Sequence, residues 1–197
     1  VTTTPQHVPG ARAAFARTVL RLIGWRTVGR LPRGGIVLGA PHTSNWDFGL
    51  GVLLLWVDGA RATVLVKREM FWWPLGPFLR RLGALPTDRS GGGGLVERLV
   101  TQAQQDPDFM LALAPDGTRT KVDHWKSGFY RIATATGLPV TFAFADGPTR
   151  TLGSGPTVTM TGDVRADMDV VRAFYTDKRG LRPGRVSAVR LREEDAG

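Results

Sequence analysis

His42 and Asp47 lie five positions apart, just after the apolar run Gly35-Ile36-Val37-Leu38-Gly39-Ala40 that Pro41 ends. A histidine can act as a general base near neutral pH. A carboxylate on its far ring nitrogen fixes the tautomer and stabilises the imidazolium as it forms. The spacing alone is weak evidence, because a lone His42 reads as a capping or loop residue. A second polar group, Pro115-Asp116-Gly117-Thr118-Arg119-Thr120, follows the apolar stretch Phe109 to Ala114. Gly117 permits close backbone approach, Thr118 offers a hydroxyl and Arg119 a planar fork for an oxyanion. Taken singly, this group reads as a surface Asp-Gly turn. A third stretch, Leu82 to Arg89, supplies Arg89, which either joins Arg119 around a phosphate or pairs with Asp88 on a loop.

Residues of this kind need elements that hold them, and the sequence supplies an alternation of strands and helices. Short apolar runs predict strands over 35–40, 62–66, 109–114, 140–145 and 157–161. Helices are expected over 46–56, 95–105, 126–136 and 167–176, with a short one ending near Leu82. Ser44 or Asn45 is placed to cap the first of these. The pattern predicts an α/β fold: a single domain with a mainly parallel central sheet and helices on both faces. Sites in such sheets gather at the carboxyl ends of strands, where both the His42 and Asp116 groups fall.

The flanks are less regular. Residues 1–10 read as disordered, residues 11–34 as a basic amphipathic region and residues 35–197 as the globular domain. Within the basic region a helix is expected over 11–25. Phe15, Val19, Leu22 and Ile23 share one face, and Arg17 and Arg21 project from another. Such a helix either packs on the domain or lies among anionic headgroups. The run Phe71-Trp72-Trp73-Pro74-Leu75-Gly76-Pro77-Phe78 also has two readings. It packs beneath the second strand, or it lines an acyl-chain slot and dips into a membrane interface, where tryptophan is favoured.

The 197 residues carry a net charge of +9 and no cysteine. Disulfides, thiolate metal sites and cysteine nucleophiles are therefore excluded. The charge favours anionic partners, and the first 46 residues hold six arginines and no acid. No stretch is apolar over the roughly 20 residues that a membrane-spanning helix needs. With only three histidines, His7 among them near the start, a histidine-rich metal site is not expected.

Taken together the polar blocks resemble the lysophospholipid acyltransferase family, in particular its bacterial 1-acylglycerol-3-phosphate group. His42 to Asp47 is similar to the family's histidine–four residues–aspartate block. Gly83 to Arg89 resembles the second block, whose arginine helps bind acceptor phosphate, and Pro115 to Arg119 the third. Leu138-Pro139-Val140 resembles the start of the fourth, and order and spacing agree from about residue 35 to 145. Two departures stand out. Asp116 replaces the usual glutamate, one methylene shorter, and Phe142 stands where a second proline is often found.

The resemblance implies an O-acyltransferase. His42 would deprotonate an acceptor hydroxyl and Asp47 would orient His42. The thiol of coenzyme A or of acyl carrier protein would leave. Arg89, Asp116, Gly117, Thr118 and Arg119 would bind substrate, and Phe71, Trp72 and Trp73 would contact the acyl chain or the membrane. Backbone amides at the helix start after His42 are candidate oxyanion donors. The thioester is a co-substrate, and neither cofactor nor metal is implied. The acceptor would be lysophospholipid-like, on an anionic membrane surface, with the protein cytoplasmic and peripheral on the inner face of the cell membrane. The chief alternative is an acyl-thioester hydrolase using water at the same site. No Gly-x-Ser-x-Gly elbow offers a covalent route. A basic lipid- or nucleic-acid-binding protein is a further alternative, but no sequence-specific nucleic-acid motif is found.

Overall fold

The computed structural model describes residues 10–87 and 94–195. The expected disorder of residues 1–10 therefore falls, Gly10 apart, outside the described residues. So does Arg89.

Among the described residues seven strands form one sheet: β1 (Arg26–Val28), β2 (Gly35–Gly39), β3 (Thr63–Lys67), β4 (Ala84–Thr87), β5 (Met110–Leu113), β6 (Val140–Asp146) and β7 (Thr151–Val158). Their order is β1-β7-β6-β2-β5-β3-β4, so β2 is the middle strand. The five strands from β6 to β4 run parallel. β7 pairs with β6 antiparallel, and β1 follows the direction of β7. The same residues form six α-helices, four of them between strands and α1 and α6 at the two ends: α1 (Ala11–Leu22), α2 (Trp46–Val57), α3 (Leu75–Arg81), α4 (Leu95–Gln105), α5 (Gly128–Thr136) and α6 (Val164–Tyr175).

Helices cover both faces, which is why β2 reads as an unbroken apolar run. Ile36 and Leu38 enter a core with Leu99 of α4, Phe129 and Ile132 of α5, and Met168 and Val171 of α6. Val37 points the other way, into a core with Ala16 and Leu20 of α1 and Leu50 and Leu54 of α2. Both registers follow from the two-residue period of a strand. Tyr175, buried at the end of α6, donates its hydroxyl to Leu38 O at 2.6 Å and so ties that helix to the end of β2, just before the His42 loop.

Several elements differ from expectation, each for a physical reason. The final strand spans Thr151–Val158 and not 157–161. Its Gly153, Gly155 and Pro156 look like turn residues, yet the strand needs the glycines. A Cβ on Gly153 would lie 2.2 Å from Val28 O, and one on Gly155 2.1 Å from the Phe174 ring. α6 begins at Val164, ahead of the expected 167, because Asp163 caps it by accepting from the Arg165 and Ala166 amides. β1 and β4 are edge strands that apolar periodicity does not mark. β4 contains Pro86, which an edge strand tolerates.

α1 buries Ala13, Ala16 and Leu20 and leaves Phe15, Leu22 and Ile23 exposed, so of the two readings of its apolar face the one that packs that face on the domain is removed. Two alanines on the packed side allow close approach to α2. No described helix is long and apolar enough to cross a membrane.

Candidate active site

The chain leaves β2 at Gly39, at the carboxyl edge of the sheet, and reverses through residues 40–45 into α2. That reversal brings His42 on the loop to Asp47 in the first turn of the helix, with Nδ1 and Oδ2 3.5 Å apart. The same Oδ2 accepts the Thr43 and Ser44 amides, each at 2.6 Å. A carboxylate suits this position, because the first turn of a helix presents unpaired amides and a favourable dipole. Asp47 is 8% exposed against 22% for the His42 side chain, so the ring is the part within reach of a ligand.

Burial dominates the electrostatics of the pair. It lowers the His42 pKa to about 4, helped by the positive charges of Arg119 and Lys67. It raises that of Asp47 to about 6, with Asp116 adding to the rise and the Ser44 and Thr43 amides and Arg182 opposing it. Near neutral pH the imidazole is therefore neutral and the carboxylate ionised. A ring with its Nδ1 proton turned towards Asp47 leaves the Nε2 lone pair free, the state a general base requires. The 3.5 Å separation is a loose contact, and such bonds commonly tighten when substrate docks.

Asp116 lies on the loop after β5, the neighbour of β2. Its carboxyl is buried and turned inward: Oδ2 accepts the His42 backbone amide at 3.2 Å. Ser187 and the Trp125 indole also face it, and burial raises its pKa against the hydrogen bonds from Ser187 and the His42 amide. Asp116 thus grips the peptide that carries the histidine. Gly117 adopts a left-handed φ of +61°, and a Cβ there would meet the Lys126 side chain at 2.9 Å. Thr118 is half-buried and pairs with Thr120 through their hydroxyls at 3.0 Å. Arg119 is exposed, close enough for its charge to act on His42.

Two cationic residues beside the pair were not singled out by the sequence reading. Lys67 ends β3, and the rule that sites gather at strand carboxyl ends would have found it. Arg182 had no local signal. A C-terminal segment brings it across, its amide donating to Thr43 Oγ1 at 3.0 Å and that of Arg179 to Asp146 Oδ1 at 2.8 Å. His124 stands apart from the pair and bonds Asp195 at 2.8 Å.

The aromatic run emerges just after β3, on the same edge of the sheet. Phe71 is half-buried with Arg80 5.7 Å above its ring, while Trp72 is 59% and Trp73 82% exposed. Core packing therefore does not account for the two indoles. Trp46, next to Asp47, is also exposed.

The fold is a mainly parallel α/β sheet that presents a neutral histidine against a buried carboxylate, with the charges of Lys67, Arg119 and Arg182 acting on the pair. Comparison with known proteins makes the class specific. The family model described as Acyltransferase matches residues 23–142, and the chain belongs to that family. It is 30% identical over 94 residues to a 1-acyl-sn-glycerol-3-phosphate acyltransferase of Cocos nucifera, a match over 45% of this chain and 30% of that protein. The chain thus spans less than a third of that curated relative. It also shares the fold of the 1-acyl-sn-glycerophosphate acyltransferase PlsC from Thermotoga maritima. The TM-score is 0.61 at 18% identity, over 84% of this chain and 77% of the other.

Proposed function

We propose that the protein moves a fatty acyl group from a thioester donor, acyl-CoA or acyl carrier protein, to the hydroxyl of a lysophospholipid-like acceptor. The observation that carries this reading is the neutral His42 held against the buried Asp47 at the end of the central strand. The family membership and the names of its relatives point to the same chemistry.

In this reading His42 Nε2 removes the acceptor's hydroxyl proton as the oxygen attacks the thioester carbonyl. Asp47 stabilises the imidazolium that forms. The tetrahedral intermediate collapses with cleavage of the C–S bond, and the proton held by His42 passes to the departing thiolate. Backbone amides at the start of α2 are candidates to meet the oxyanion. Lys67 and Arg119, with Arg89, would hold acceptor phosphate, while Gly117 and Thr118 form the adjoining wall. Asp116 acts by positioning His42. The thioester is consumed as a co-substrate, and no resident cofactor is invoked. Trp46, Trp72 and Trp73 would enter the headgroup layer of an anionic membrane, placing the protein peripherally on the inner face of the cell membrane.

The role of the cations is tested by mass spectrometry of lipid products from palmitoyl-CoA with lysophosphatidate or monoacylglycerol as acceptor. Diacyl product should form from both, with KM at least about tenfold higher when the phosphate is missing, as expected for the loss of one charged hydrogen bond. Equal KM values would remove the phosphate from the reading. Failure of every hydroxylated amphiphile to be acylated would remove the transferase.

A further inference from the structure

A hollow of about 560 Å³ lies at the β1–β7 border of the sheet, away from the His42–Asp47 pair. Four arginines line it: Arg17 and Arg21 from α1, Arg26 from β1 and Arg150 from the turn before β7, with Trp25 and Thr149 between them. Among the described residues, none of these four guanidinium groups forms an ion pair. Concentrating four like charges without a counter-ion is unfavourable, and an anion in the hollow would relieve it.

The cluster is built rather than merely crowded. Arg17 donates to Val57 O at 3.0 Å, Arg26 to Thr151 Oγ1 at 2.9 Å and Arg150 to Ile23 O at 3.3 Å. These bonds fix three of the guanidiniums and leave most of their donors unused, since each carries five N–H groups. Arg150 adopts φ +47°, a left-handed conformation uncommon for a residue with a side chain, and its guanidinium lies over Gly24. The Arg21 guanidinium makes no side-chain hydrogen bond among the described residues, although the Arg21 carbonyl accepts the Gly24 amide at 3.1 Å.

The topology puts this hollow on the catalytic edge. Arg26 opens β1 opposite Thr151, the first residue of β7. Thr151 in turn pairs with Asp146, the last residue of β6. Because β6 is parallel to β2, that end of β1 is the carboxyl edge from which His42 emerges. β1 stands three strands from β2, about 14 Å at the usual interstrand spacing. The cations that act on His42 are Lys67, the last residue of β3, and Arg119, on the loop after β5, and both strands lie on the opposite side of β2. The edge therefore carries two separate cationic regions with the base between them.

We propose that the arginine hollow is a second phosphate-binding site. Its separation from His42 suits the phosphate-bearing end of a coenzyme A donor whose pantetheine arm reaches back to the base. A phospholipid headgroup presents the same chemistry, and the exposed Leu22 and Ile23 beside Arg21 and Gly24 adjoin the hollow. The proposal rests on the acyltransferase reading only for which phosphate fills the site. Binding can therefore be tested without turnover.

Titration calorimetry with free coenzyme A, and sedimentation with phosphatidylglycerol or phosphatidylcholine vesicles, would be run on four proteins. These are the parent, the Arg21→Gln/Arg150→Gly double variant, His42→Ala, and an Arg98→Gln/Arg131→Gln variant that removes equal charge from exposed positions on α4 and α5. Coenzyme A affinity should fall at least about tenfold in the hollow variant alone. A loss confined to phosphatidylglycerol vesicles would support the site with a headgroup as its ligand. Equal losses in both charge-matched variants, or no loss in either, would overturn it. Glycine is the residue best suited to φ +47°, and Arg21→Gln alone removes no internal hydrogen bond. The single variant therefore keeps the test valid if the double one misfolds. A protein that binds coenzyme A yet releases no thiol from its acyl thioester would leave this site standing and remove the transferase reading instead.

Discussion

Asp47 bears opposite consequences for stability and for chemistry. Its raised pKa means that its protonated form suits the fold, so the stability it contributes is present below pH 3.8 and lost as pH rises through about 6. The depressed pKa of His42 works the other way: its contribution is present above pH 6.5 and lost as pH falls through about 4. Between pH 4 and 6 the two oppose each other, and above 6 the buried carboxylate is a net cost. Asp47→Asn removes that cost while its amide oxygen can still accept the Thr43 and Ser44 amides. At pH 8 the variant should be as stable as the parent or more so, by about 1–3 kcal/mol in urea unfolding. Its kcat should nevertheless fall by about 10²-fold or more, the scale of an impaired general base. In the parent, kcat/KM should rise with pH through about 6 as Asp47 ionises and then level off. A destabilised variant with normal turnover would show that the carboxylate serves the fold and not the base.

At the scale of elements, the segment joining β3 to α3 stands out because it exposes two adjacent indoles on the edge where His42 emerges. Trp72→Ala with Trp73→Ala should leave thermal unfolding nearly unchanged, since neither side chain is in the core. Liposome binding or the use of long acyl chains should weaken several-fold. Unchanged binding and chain preference would remove the membrane role of this run. The sequence had offered both a core and an interface for these residues; the exposure of Trp72 and Trp73 removes the core for the two indoles, and the interface is what this experiment tests.

Elsewhere apolar periodicity located the strands that form the centre of the sheet. It missed β1 and β4, whose short edge positions demand little apolar surface, and it displaced β7, where glycines serve close packing and not a turn. For α1 it marked an apolar face without saying whether that face packs on the domain, and the packed side proves to be another. Small alanines, and not the larger Phe15 and Leu22, make the helix–helix contact there. Such choices depend on what a partner element presents, which no single segment encodes.

Across the whole molecule, the site joins parts distant in the chain. His42 and Asp47 were legible as a pair because one loop and one helical turn hold both. The inward turn of Asp116 was not, because it depends on Ser187 and the His42 amide, both distant from it in the sequence. Arg182 likewise reaches the Thr43 loop only through the C-terminal segment. The +9 charge, a diffuse property in the sequence, resolves into a cationic rim at the base and an arginine hollow three strands away. The central claim is that this edge uses His42 to acylate a hydroxyl. The most direct test is thiol release from palmitoyl-CoA on anionic liposomes, with and without lysophosphatidate, for the parent and His42→Ala. The account predicts release that requires the acceptor and falls by at least about 10²-fold in the variant. Release that ignores the acceptor, or that survives loss of His42, would contradict it.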